Sequence, residues 1–113
     1  MKNISIKQNS WIAAVAARRL GYRYLAMVIG KTIHLHNVNT AEFVRNKRWL
    51  IHELKHVDQF QQHGFLSFLW LYMKEHLRSG YYNNKYELEA RNAETDESLL
   101  KKYDISPYFK VMS

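Results

Sequence analysis

Two histidines four residues apart with a glutamate after the first, His52-Glu53-Leu54-Lys55-His56, are the residues best suited to chemistry in this sequence. On an α-helix, positions i and i+4 lie on one face, so His52 and His56 can offer two imidazoles to a single cation. Glu53 sits about 100° around the helix from His52, bordering such a cation without being forced to bind it. A zinc ion brings the acidity of its water close to neutrality, and a neighbouring carboxylate can take that proton and return it to a leaving amine. The spacing therefore predicts a Zn2+ site with His52 and His56 as ligands and Glu53 as the catalytic base. Trp49, Leu50, Ile51, Leu54, Val57 and Phe60 flank the motif, so its helix should be at least half buried.

Catalytic zinc normally has three protein ligands and one open position. The chain has no cysteine, which leaves imidazole and carboxylate as the only donors. His63 lies two turns beyond His56 and directly before Gly64, too far along to reach the same ion. His76 falls on an apolar helical stretch and reads as a core or rim residue. His34 and His36 share one face of a predicted strand, where a solvated edge is the simpler expectation. The remaining donors are in Tyr86-Glu87-Leu88-Glu89-Ala90-Arg91-Asn92-Ala93-Glu94. Glu87, Ala90, Arg91 and Glu94 fall on one helical stripe, and Glu89 lies nearly opposite. The small Ala90, one turn from Glu87, would let this helix approach the motif helix closely. That favours Glu87 as third ligand, with Glu89 the alternative. Asn84 followed by Glu87 also fits a capping box, in which Glu87 would serve only the helix start.

These residues need elements to hold them. At 113 residues, positions 1–113 read as one domain, with an irregular C-terminal tail about 102–113 around the sole proline, Pro107. The sequence predicts an α+β, mainly helical domain. A first helix spans Ser10 to Leu20 and stops at Gly21. Tyr22–Ile29 and Thr32–His36 form a β-hairpin across Gly30-Lys31, with Ile33 and Leu35 on one face and Thr32, His34 and His36 on the other. A second helix starts at Asn39, whose partner three residues on is Glu42, and runs through the motif to His63. A third, from Phe65, carries Phe68, Leu69, Tyr72, Met73, His76 and Leu77 at helical spacing and ends at Gly80; its apolar character fits a dimer contact, a membrane-surface contact or, by default, a core helix. Tyr86 to Lys101 reads as a fourth.

Composition narrows the partners. Lysine and arginine outnumber aspartate and glutamate 17 to 10, a formal net charge of +7, but Arg18, Arg19, Arg23, Lys31, Arg45, Lys47, Arg48, Lys101 and Lys102 are dispersed, so a nucleic-acid interface is possible but not favoured. The first residues lack the apolar core of a signal peptide, and the longest apolar run, Phe65 to Met73, is too short to span a bilayer. A cytoplasmic protein without a transmembrane segment is expected.

From Arg19 to Glu94 the sequence resembles the gluzincins, zinc peptidases with His-Glu-x-x-His on one helix and a glutamate ligand on a later one. Trp49 to Gln59 is similar to their motif helix, and Tyr86 to Ala90 to their Glu-x-x-Ala segment. The resemblance implies a minimal zincin-like domain in which His52, His56 and Glu87 bind zinc and Glu53 is the base of a peptide hydrolase. It also implies that Thr32–His36 is the edge strand along which an extended peptide or protein substrate pairs. Three departures stand out. Arg91 occupies the position four after the glutamate ligand, where an acidic residue often orients a histidine, leaving Glu94 or Asp58 for that task. Gln59 and Gln62 rule out the metzincin extension. No oxyanion donor is assigned, although Tyr81, Tyr82, Tyr86 and His63 are donors by type. The alternative function is a zincin-fold binding or regulatory domain that reads a protein or nucleic acid through its basic or aromatic surface.

Overall fold

Gly30 and Lys31 turn the chain back on itself between β3 (Leu25–Ile29) and β4 (Thr32–His36), which pair antiparallel from Ile29↔Thr32 to Leu25↔His36. Gly30 adopts φ 65°, a left-handed conformation that glycine reaches without penalty. The computed structural model describes residues 2–109. Ahead of the hairpin lie β1 (Lys2–Asn3), β2 (Ser5–Lys7) and α1 (Trp11–Leu20). After it come α2 (Thr40–Arg45), α3 (Lys47–His63), α4 (Phe65–Asn83), α5 (Lys85–Asn92), α6 (Ser98–Lys102), β5 (Tyr103–Asp104) and α7 (Ser106–Phe109). The architecture is α+β and mainly helical, as the sequence predicts.

β2 changes the role of the hairpin. It lies parallel to β4 from Ser5↔Thr32 to Lys7↔His34, so the sheet order is β2-β4-β3. Thr32–His36 is therefore the central strand and not the edge; the edge strands are β2 and β3. His34 is buried, and its Nδ1 shares a 2.8 Å hydrogen bond with Ser10 Oγ, the residue that caps α1. Burial first, then the Lys7 charge, lowers its pKa, keeping the ring neutral.

Strand alternation then builds two layers. The face bearing His34 takes α1, whose Ala13 and Ala17 are fully buried. The other face sends Ile33 and Leu35 into the main core with Phe43, Leu50, Ile51, Leu54 and Val57 of α2 and α3. Leu35 has no exposed surface. Leu35→Ala is expected to cost about 2–5 kcal/mol through lost contacts and a residual cavity. A urea midpoint lowered at unchanged slope would show it; an unmoved midpoint would argue against this core.

Three helical boundaries differ from expectation. The helix predicted from Asn39 to His63 breaks at Asn46 (ψ 86°), whose N–H bonds to Phe43 O while its Oδ1 accepts from Trp49 N; one asparagine ends α2 and starts α3. The helix predicted from Tyr86 to Lys101 stops after Asn92, because Asp96 Oδ1 takes the N–H and hydroxyl of Ser98 and restarts the chain as α6. At Gly80 (φ 77°) the helical conformation of α4 breaks, as its glycine suggests, but one further turn follows. The tail expected to be irregular from 102 is ordered through α7: Lys2 and Asn3 pair in parallel with Tyr103 and Asp104, and Tyr108 Oη accepts from Ile6 N. The last residues of that tail lie outside the described range.

Candidate metal centre

α3 and α5 pack side by side, and Ala90, fully buried, permits the approach. His52 and His56 project from successive turns of α3 with ring centroids 5.1 Å apart. Glu87 projects from the first turn of α5 between them. Its Oε1 lies 3.1 Å from His52 Nε2 and 3.1 Å from His56 Nε2. The three donor atoms all fall within 4.8 Å of one another, and the group can hold a metal ion. Glu89 faces elsewhere and accepts from Gln59 Nε2. Asn84 does cap α5, by accepting from Tyr86 N, but Glu87 takes no part in a capping box.

Every donor has its other polar atom tied down. His52 Nδ1 lies 2.9 Å from Glu94 Oε2, and His56 Nδ1 lies 2.9 Å from Gln59 Oε1. An acceptor beside each Nδ1 holds a proton there, so the second proton of each charged ring sits on Nε2 and donates to Glu87, and its loss frees Nε2 as a metal donor. Tyr72 Oη donates to Glu87 Oε2 at 2.6 Å, leaving Oε1 as the inward donor. Of the two carboxylates considered for orienting a histidine, Glu94 does so, steadied by Arg48 at 3.2 Å. Asp58 instead binds Lys102 and Tyr103, away from the site. Sequence reasoning did not find Tyr72 or Gln59. Gln59 had a signal, since a residue three after His56 shares its helix face; Tyr72 had none, because it arrives from another helix.

Charge is concentrated here. Burial opposes protonation of His52, but Glu87, Glu53 and Glu94 outweigh it and raise its pKa to about 9. His56 is likewise raised, burial being overcome mainly by Glu87. Burial disfavours the Glu87 carboxylate as well, yet His52, His56 and Tyr72 hold it well below the usual range. Three carboxylates thus surround two imidazoles, an arrangement that calls for positive charge. The donor set fits zinc: two nitrogens and one carboxylate oxygen, none of them sulfur.

Glu53 is only 5% exposed, and burial pushes its carboxyl up to about 7 against the pull of His56 and His52. It lies with His52, Glu94 and Trp49 in a cleft of about 680 Å³, whose lining also includes Tyr81 and residues 21–26. Leu25 and Ala26 of the edge strand β3 are among those lining residues. Burial, then Glu87, raises the Tyr81 and Tyr72 phenols above their ordinary range, so both remain O–H donors. Of the residues considered as oxyanion donors, Tyr81 lines the cleft. Tyr86 and His63 belong to an aromatic cluster with Phe60 and Phe68, and Tyr82 lies under the Arg91 guanidinium. His76 and His36 are half-buried and outside the ligand group.

No known protein family, curated protein or solved structure matches the chain.

Replacing Glu94 by alanine leaves His52 Nδ1 without its acceptor. Zinc affinity is expected to fall about 10- to 100-fold, measured by competition with a chromophoric chelator. Unchanged affinity would mean that Glu94 does not orient the ring.

Proposed function

We propose that this chain is a zinc-dependent peptidase of the gluzincin kind. The observation that carries the reading is Glu53: a buried carboxyl with its pKa near 7, in an open cleft, one residue from the His52–His56–Glu87 group. A site built only to hold a metal has no use for a base of that pKa beside its ligands. His52, His56 and Glu87 would hold the zinc, which when bound supplies the Lewis acidity that makes water nucleophilic near neutral pH.

The chain's own residues do the rest. Glu53 accepts a proton from the water attacking the peptide carbonyl carbon. It returns that proton to the amide nitrogen as the C–N bond breaks, so the products are a carboxylic acid and an amine. Tyr81 has an O–H to offer the oxygen on which charge develops. An extended polypeptide can add to β3, whose outer edge has no partner strand among the described residues, through backbone hydrogen bonds. Tyr22, Tyr24 and Trp49 offer aromatic surface to its side chains.

The test is incubation of the zinc-loaded chain with a denatured protein. Fragments are expected from the wild type, and none after chelation or in Glu53→Gln. A zinc-bound wild type that cuts nothing would turn the reading to a binding domain.

A further inference from the structure

α4 has an apolar face with nothing on it. Leu66, Leu69, Trp70, Met73 and Leu77 recur at spacings of three and four, so they form one stripe along the helix. All are exposed, Leu66, Trp70 and Leu77 at 78, 67 and 80%. Of the readings open from the sequence, the default core helix does not hold, because only Phe68 of α4 is fully buried. The inward side is already used: Phe68 packs on Phe60 and Tyr86, and Tyr72 holds Glu87. The outward stripe is therefore surplus to folding, and exposed apolar surface of this kind marks a contact.

Charge decides the occupant. Lys74 and Arg78, both exposed, border the stripe on one flank, and Lys85 follows on the next helix. The single acid of α4, Glu75, is half-buried on the side opposite the stripe. A second copy laid on this face would bring Lys74 and Arg78 of both chains together with no carboxylate from either stripe to compensate, in a chain of net charge +7. An anionic lipid surface satisfies both features, since acyl chains accept the leucines and methionine, and headgroups attract the flanking cations. Trp70, near the middle of the stripe, has the apolar body and N–H donor suited to the headgroup boundary. No described helix is long and apolar enough to cross a membrane, so α4 would lie in the surface plane.

We propose that the exposed face of α4 docks the protein onto anionic membrane surfaces. This does not depend on the zinc site, and its test uses the full chain. Vesicles of equal parts phosphatidylcholine and phosphatidylglycerol should co-sediment the protein and shift its tryptophan emission to the blue. Phosphatidylcholine alone should bind far less. Leu77→Glu should lower partitioning about tenfold or more, and Lys74→Ala and Arg78→Ala about fivefold each at low salt, an effect that fades as salt rises. Both kinds of change are at exposed positions, and unaltered circular dichroism would confirm that the fold is kept. Failure to bind the anionic vesicles, equal uptake by neutral ones, or undiminished binding of Leu77→Glu would overturn the proposal. So would a solution dimer that Leu77→Glu splits into monomers, which would make the occupant a second copy.

Discussion

One zinc ion per chain is expected in the purified, zinc-supplied protein, and the bound metal should raise its melting temperature markedly. With free zinc at about a thousand times Kd, mass action adds about 4 kcal/mol to the folded state. For a domain of this size that corresponds to about 15 °C, reversed by a chelator. His52→Ala and Glu87→Ala should lose both the metal and the shift. The comparison must be the zinc-dependent change and not the melting temperature itself. Glu87→Ala also strips partners from Tyr72 Oη and both Nε2 atoms, which costs about 1–3 kcal/mol per stranded group even without metal. Because His52 and His56 carry raised pKa values without metal, zinc must displace protons there. Affinity should therefore strengthen as pH rises toward about 9, the value to which His52 is raised. A wild-type melting temperature unmoved by excess zinc would remove the metal centre altogether.

Glu53→Gln is expected to leave metal and fold in place while slowing hydrolysis about 10²- to 10⁴-fold, the contribution typical of a positioned general base. Glutamine matches the shape of the carboxyl but cannot take a proton. Stability works in favour of this experiment. The folded pKa of Glu53, about 7, lies above its ordinary 4.5, so the stability it contributes is present below about 4.5 and lost as pH rises through about 7. The neutral glutamine escapes that loss, and the metal-free variant should be at least as stable as wild type at pH 8. Urea titration of the two proteins checks this directly. A variant that is folded, zinc-loaded and as active as the wild type would end the proposed role of Glu53.

Much of the site was legible because it depends on local geometry. A spacing of four on a helix brings His52 and His56 together wherever that helix sits, and Ala90 marked where a second helix could come close enough for Glu87 to reach them. Gly21 and Gly64 marked helix ends, and Gly30 a turn, because the backbone there takes positive φ. Boundaries at Asn46 and Asp96 were less visible. Both depend on a side chain outcompeting the helix for backbone N–H groups, a balance of about 1 kcal/mol.

By itself the sequence determined that His52 and His56 share one helix face with Glu53 beside them, and it determined the mainly helical α+β class and the antiparallel hairpin, all set by interactions within a few residues. Only the tertiary structure decided which strand is the edge. β2 reaches β4 from the far side of α1, and that pairing buries His34 and hands the cleft border to β3. It likewise brought Tyr72 to Glu87 and Glu94 to His52, and left the apolar face of α4 facing outward. The reason is the same in each case: periodicity tells which residues share a face, but packing between distant segments determines what that face meets.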